Sequence, residues 1–389
     1  VVTELSSAIS KSLPLLLHVR LGSAAGAQEV VRTLLKRADV KIDGARPWDI
    51  RVNDPAFYLR VLTEGSLGLG EAYMDGWWDS EALDQCIERL GRCELDQDVA
   101  NLMATVTGLV KSKLFNLQSR SRAYQVGERH YDLGNDLYER MLDRRMTYSC
   151  GYWKEADTLD KAQEAKLEMC CQKLQLLPGM RVLDIGCGWG SFAQYAAQTR
   201  GVQVVGITVS HRQYALARDR CRGLPVDIRM QDYRALDEPF DRVISIGMFE
   251  HVGAKNYRRY MEVVHRCLKP RGLSLLHTIG RNQTCSVNDP WLDRYIFPNY
   301  WLPSAKQIVQ AAEGLLAVEH WENIGPHYDP TLMAWHANFT RNWPALRHRY
   351  GGRFRRMWEF YLLSCAAVFR TRRYHVWQVL MSRLPAVQQ

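Results

Sequence analysis

The segment Asp184-Ile185-Gly186-Cys187-Gly188-Trp189-Gly190 restricts what this chain can fold into more than any other. It follows a short apolar run, Arg181 to Ile185, and opens a stretch of helical composition. Glycine at alternate positions lets backbone turn sharply and approach a ligand that a Cβ would strike. Ser191 stands where a dinucleotide fingerprint needs its third Gly or Ala, and the Gly-Lys-Ser/Thr of a phosphate loop is absent. The strand–Asp–Gly-x-Gly-x-Gly–helix context therefore predicts that the adenosyl and methionine parts of S-adenosylmethionine lie over this loop, at the carboxyl ends of the strands.

Around that loop the rhythm is strand, turn, helix. Val202 to Val209, Val226 to Met230, Phe240 to Ile246 and Gly272 to His277 read as further strands, separated by helical segments. This alternation predicts an α/β fold, a mostly parallel sheet wound on both faces. Tyr374 to Leu380 reads as a last strand suited to an edge. Phe354, Trp358, Tyr361, Cys365 and Val368 recur at helical spacing before it. The first ~110 residues read as mainly helical, as in Val30 to Leu35. Within them, Gly65 to Trp78 is rich in glycine and aromatics and reads as a tight turn with exposed or half-buried rings. The predicted organisation is a smaller N-terminal domain over 1–110, a basic linker over 111–129 and the cofactor-binding domain over 130–389.

Composition narrows the class. With 47% hydrophobic and 24% charged residues in 389, the chain is an ordinary folded protein. No apolar run approaches the ~20 residues that span a bilayer, and no secretory signal is recognised. Its ten cysteines include no C-x-x-C pair, so no metal site is expected and reduced thiols in the cytoplasm are. The net charge of +9 is confined to the last 49 residues, with ten Arg and one Glu from Arg341 onward. Such a basic end suits anionic lipid headgroups or nucleic acid, or is simply a solvated surface.

Beyond the loop, Thr208 and Gln213 follow the second strand, where many nucleotide-binding folds place an acid for the ribose hydroxyls. Both can hydrogen-bond hydroxyls. Gln231-Asp232-Tyr233 follows the third strand, where adenine is expected, and Asp232 is placed to accept from its exocyclic amine.

Five stretches complete a pattern: Tyr148-Ser149-Cys150-Gly151-Tyr152-Trp153, Leu183 to Gly190, Gly247-Met248-Phe249-Glu250-His251-Val252-Gly253, Leu276-His277-Thr278-Ile279-Gly280 and Tyr295-Ile296-Phe297-Pro298. In order and spacing, and in the earlier Gly65 to Trp78, the chain resembles the cyclopropane-fatty-acyl-phospholipid synthases beyond about residue 40. The mycolic-acid cyclopropane synthases are similar but generally lack the N-terminal domain, which favours a phospholipid substrate. The resemblance implies a class I methyltransferase fold, a homodimer, and a bound bicarbonate ion as base. The positions matching the bicarbonate cradle are Cys150, Glu250, His277, Ile279 through its backbone, and Tyr328. An older assignment of a C-terminal active-site cysteine matches Cys365. The cofactor site implied comprises Tyr148, Ser149, Asp184, Gly186, Cys187, Gly188, Gly190, Thr208, Gln213, Gln231, Asp232 and Tyr233.

The implied chemistry suits these residue types. An alkene that attacks a sulfonium methyl becomes a cation, which water would quench, so the site must be dry. Aromatic faces stabilise a cation without attacking it, and Trp291, Tyr295, Phe297, Tyr300 and Trp301 form a dense run suited to lining such a channel, although ordinary core packing is the better reading for most of these rings. Ring closure then needs a base. His277 and Tyr328 can donate to bicarbonate, Cys150 weakly, while Glu250 accepts its hydroxyl. Singly, each of these residues reads as structural; the joint pattern assigns them.

The expected partner is a bilayer with unsaturated acyl chains and anionic lipids, met from the cytoplasmic side, and not nucleic acid. Arg353, Arg355, Arg356, Arg370, Arg372 and Arg373 are the predicted electrostatic contacts, with Leu13 to Leu17 and Trp77-Trp78 as an apolar foothold. The competing readings are a methyltransferase of another lipid or small molecule, and a non-enzymatic lipid-binding protein.

Overall fold

A computed structural model describes residues 24–93, 134–285 and 287–385. The described residues divide into two compact units: 24–93, 287–296 and 347–371 form the first, and 134–285, 297–346 and 372–385 the second. Predicted linker 111–129 and the apolar stretch Leu13 to Leu17 lie outside the described residues.

The first unit is helical, with a two-stranded ribbon pairing β1 (Arg51–Val52) and β2 (Trp78–Asp79). Gly65 to Trp78 is mostly not a turn: Ala56–Met74 is one helical stretch kinked at Gly65, where φ is 58°. Of the two rings expected as an apolar foothold, Trp78 is fully buried against Phe57, Tyr73 and Phe360, whereas Trp77 is half-buried. The helices Pro290–Tyr295 and Gly352–Arg370 belong to this unit, so the predicted catalytic span 130–389 is interrupted twice. The reason is packing. Trp291 lies edge-on to Phe360 and donates to Met74 Sδ, and the Trp291 ring closes over Gly70, where a Cβ would sit 2.4 Å from it.

Four of the six predicted lipid-binding arginines are committed to ion pairs inside this unit. Arg353 pairs with Asp75, Arg355 with Glu359, Arg356 with Asp79, and Arg370 with Asp84 and Glu88. The excess charge read from the sequence is thus partly neutralised by acids some 280 positions earlier in the chain.

The second unit is built on seven strands: β3 (Arg181–Ile185), β4 (Gln203–Thr208), β5 (Val226–Met230), β6 (Phe240–Ile246), β7 (Leu268–Gly280), β8 (Leu316–Asn323) and β9 (His375–Arg383). Their order is β5-β4-β3-β6-β7-β9-β8. The first five run parallel, and β9 is antiparallel to both β7 and β8. β9 is therefore an interior strand, contrary to the edge position expected. Its first five residues are all buried, because it is paired on both sides. Alternation along β3 sends Leu183 and Ile185 into one core layer and Val182 into the other, so both faces of the sheet are covered. β3 neighbours β4 on one side and β6 on the other, which makes its carboxyl end the switch point where ligands collect in open α/β sheets.

Candidate active site

Local backbone geometry makes the first part of the site. After β3 the chain turns through Gly186 at φ 80° and Gly188 at φ 56°. The N–H groups of Gly186 and Cys187 both donate to Ile207 O at the end of β4, at 3.0 Å. A Cβ on Gly188 would point into open space, while one on Gly186 would sit 2.7 Å from Met248 Cβ. The open space is a cavity lined by Tyr148, Ser149, Asp184, Gly186, Cys187, Gly188, Thr208, Gln213, Gln231, Asp232 and Tyr233. These are the predicted cofactor residues with one exception. Gly190 does not line the cavity; it packs against the next helix, where a Cβ would lie 3.1 Å from Cys221 Sγ.

The polar groups around the cavity are fixed. Thr208 Oγ1 donates to Gln213 Oε1 at 2.9 Å. Asp232 is chelated by Arg234 through both oxygens, each at 2.8 Å, and also accepts from Arg234 N. All three bonds come from one residue and fix the orientation of the carboxylate. Tyr148, Tyr138, Trp189 and Trp335 form a chain of ring contacts along one wall. Asp184, 2% exposed, has a carboxylate oxygen without a hydrogen-bond partner. Burial pushes its carboxyl up to about 7, against the pull of Lys166.

Lys166 is a further residue of the site, beyond those expected from the sequence. It is fully buried on the helix Leu159–Lys173, lines the cavity, and donates to Ser149 Oγ at 2.8 Å. Burial lowers its pKa. The missed signal is periodicity: Leu159, Ala162, Gln163, Lys166, Leu167 and Cys170 are the buried stripe of that helix, so a lysine falls where an apolar residue belongs. Met248 and His251 also line the cavity unpredicted.

The second part of the site is made of buried side chains. Glu250 sits in the 3-10 turn Phe249–His251 after β6, 5% exposed. Its Oε1 accepts from Ile279 N on β7 at 2.6 Å, and its Oε2 has no partner. Burial pushes this carboxyl up to about 7. Cys150 is fully buried and donates to Ile324 O at 3.8 Å. Ile324 N donates to Val376 O, and Val376 is the register partner of Ile279. Backbone pairing thus ties the Cys150 segment to the strand that holds Glu250. Tyr328 begins the helix Tyr328–Leu346 four positions after Ile324 and packs edge-on against Trp335. His277, 2% exposed, precedes Ile279 on the same strand.

None of these predicted catalytic residues lines the cofactor cavity. Glu250 and Cys150 are the sequence neighbours of residues that do, Glu250 beside His251 and Cys150 beside Ser149. Cys365 belongs to the first unit, on the helix Gly352–Arg370, and burial raises its thiol to about 12. The aromatic run is also divided. Trp291 and Tyr295 are in the first unit, where Tyr295 Oη donates to Glu71 at 2.7 Å, while Phe297, Tyr300 and Trp301 are in the second.

A parallel sheet with a glycine turn at its switch point, a ligand-sized space over that turn and buried acids beside it define the class I methyltransferase architecture. Solved structures agree. The mycolic acid cyclopropane synthase CmaA1, complexed with SAH and CTAB, matches 67% of this chain and 98% of its own, at 32% identity and a TM-score of 0.62. Coclaurine N-methyltransferase, bound to N-methylheliamine and SAH, covers 81% and 99% at a TM-score of 0.67; at 21% identity this likeness speaks for the fold alone. The profile of the family described as mycolic acid cyclopropane synthetase matches residues 118–379. The cyclopropane-fatty-acyl-phospholipid synthase of Escherichia coli is 53% identical over 354 residues, 91% of this chain and 93% of that protein. The chain belongs to this family of S-adenosylmethionine-dependent methyltransferases.

The residues present fit both small molecules the family reading implies. Gly188 leaves room for a ligand over the turn, and Asp184 offers an unpartnered buried oxygen beside it. The unpartnered Oε2 of Glu250 suits an anion that itself carries a hydroxyl.

Proposed function

We propose that this chain transfers a one-carbon unit from S-adenosylmethionine to the cis double bond of unsaturated phospholipid acyl chains and closes a cyclopropane, with bicarbonate as base. One observation carries the reading: a nearly buried carboxylate, Glu250, is held by Ile279 N–H on one oxygen and bare on the other, next to residues of the cofactor cavity. When bound, S-adenosylmethionine supplies an electrophilic methyl carbon and bicarbonate a base held by hydrogen bonds.

The chain's own residues do the rest. Lys166 and Asp184 present opposite charges suited to the zwitterionic methionine end. Glu250 accepts the hydroxyl of the anion and so orients its basic oxygen. Ile279 N–H is committed to Glu250, so Ile279 acts by fixing that carboxylate. Tyr328 and His277 donate, and Cys150 adds a weak donor. The burial of Cys150, Glu250, His277 and Tyr328 excludes the water that would trap a cation.

We extend the reading to peripheral docking on anionic bilayers, and to a homodimer. Among the described residues no helix is long and apolar enough to cross a membrane. Docking of this kind strengthens with anionic lipid and weakens with salt. Reversing Arg372 and Arg373 tests this while leaving the ion pairs of the other four arginines intact.

The test is incubation with vesicles of unsaturated phosphatidylglycerol and cofactor carrying a trideuterated methyl group. The expected lipid gains a methylene that keeps two of the three deuterons. A product retaining all three would mean methylation without ring closure and would overturn the reading.

A further inference from the structure

We infer that Lys173 and Gln378 lock the His277 ring with its proton on Nε2, which makes His277 a hydrogen-bond donor in the site and removes it as a base for ring closure. The inference rests on the proposed reaction only for the use made of that donor; the tautomer follows from the packing.

Three residues stand in one row across three strands. His277 on β7 is the register partner of Gln378 on β9, and Gln378 is in turn the partner of Glu322 on β8. Lys173, the last residue of the helix Leu159–Lys173, closes the row from the adjoining layer. Its Nζ donates to Gln378 Oε1 at 2.7 Å and pairs with Glu322. Gln378 is fully buried, and its Nε2 lies 3.2 Å from His277 Nδ1 and 3.5 Å from Cys170 Sγ.

Chemistry decides which end of the amide faces which neighbour. An ammonium group has donors only, so the Gln378 atom facing Lys173 is the oxygen. The amide nitrogen then faces His277, and it too can only donate. Nδ1 must therefore offer its lone pair, and the single proton of a neutral imidazole resides on Nε2. Turning the amide over would set donor against donor at Lys173 within a buried site, a loss of the kind that folded proteins avoid. Glu322 anchors the ammonium and so fixes the sense of the whole row.

A second proton on the ring is opposed as well. It would place an Nδ1–H against the amide N–H of Gln378. Burial first, and the ammonium groups of Lys166 and Lys173 after it, hold His277 well below the usual histidine range. Neither ring nitrogen is then open to a proton from the substrate: Nε2 already bears one, and the Nδ1 lone pair is capped by Gln378. His277 can polarise or hold an oxygen through Nε2–H, and the proton released on ring closure must go elsewhere.

The experiment is long-range 1H–15N correlation on the full chain labelled at histidine nitrogen, with His277 assigned by the signal lost in His277→Asn. The expected pattern is that of an Nε2–H tautomer, unchanged from about pH 6 to about pH 8. An Nδ1–H or imidazolium pattern in the unsubstituted protein would overturn the inference, whatever the activity. In Gln378→Glu the new carboxylate accepts from the ring, so the proton moves to Nδ1 and kcat falls about a hundredfold with KM for S-adenosylmethionine unchanged. A moved proton with undiminished kcat would refute the donor role. Lys173→Met leaves β9 intact and frees the amide to turn; it is expected to give both tautomers, and a ring still wholly Nε2–H would refute the lock. If the unsubstituted protein never adds a methylene to lipid, the proposed function fails while the spectrum still decides the tautomer.

Discussion

The two parts of the site are built on different principles. Over the end of β3 the cavity is shaped by backbone within one strand–turn–helix segment, where Gly186 and Gly188 take left-handed φ values within a few residues of Asp184. Around Glu250 and His277 the shape comes from buried polar side chains, each held by a partner far along the chain: Glu250 by Ile279, Cys150 by Ile324, His277 by Gln378. A backbone site tolerates loss of a side chain but not a change of chain geometry. A side-chain site responds in the opposite way, because the geometry persists when a functional group is removed.

The largest expected effect tests that contrast directly. Glu250→Gln should lower methylene transfer by about a thousandfold while calorimetry shows unchanged cofactor affinity; a matching loss of affinity would merge the two parts into one. The same substitution should alter the pH dependence of stability. The Glu250 carboxyl is raised to about 7 by burial, so in the ligand-free protein its stabilising, protonated form is complete below the unfolded value and lost as pH rises through about 7. Glu250→Gln should therefore gain stability relative to the unsubstituted protein between about pH 5 and about pH 8, by up to about 3 kcal/mol in denaturant titrations. A constant difference across that range would place the carboxylate in contact with compensating charge.

Smaller effects belong to the backbone part. Gly188→Ala meets no atom of the protein but would crowd a ligand, so cofactor affinity should fall about thirtyfold while stability drops only by the ~1 kcal/mol of left-handed strain. Gly186→Ala should be worse for the fold, because its Cβ meets Met248; equal stability losses would remove the distinction. Lys166→Met should weaken cofactor binding about tenfold and leave stability equal or higher, since a buried charge gives way to an apolar side chain of similar volume. Lower stability with undiminished affinity would make Lys166 structural.

Legibility followed the same division. The glycine turn, Asp184, Thr208 and Gln213 were readable because their conformation is dictated within a few residues, and all but Gly190 of the predicted cofactor positions line the cavity. Gly190 lies off the cavity because a glycine can serve helix packing as well as a ligand, here against Cys221. The interior place of β9 was not readable, since an antiparallel strand arriving after a long excursion can add at an edge or between two strands. The burial of Trp78 and the ion pairs of the arginines were not readable for a related reason. Composition shows that rings and charges exist, whereas Asp75, Asp79, Asp84 and Glu88, far earlier in the chain, decide that three of the arginines hold ion pairs. Lys166 is legible in principle, as a lysine on a buried helical stripe.

Short-range rules were thus enough to place a glycine turn after an apolar strand and to announce an alternating α/β sheet, because steric limits on φ and the period of side chains act over a handful of residues. Pairing across strands was beyond them. That Glu250 would be clasped by Ile279, and that Lys173 would orient Gln378 and through it His277, depended on segments brought together from up to 205 positions apart. Hydrogen bonds in a dry interior are specific to the atoms that meet there, and only folding determines which atoms meet.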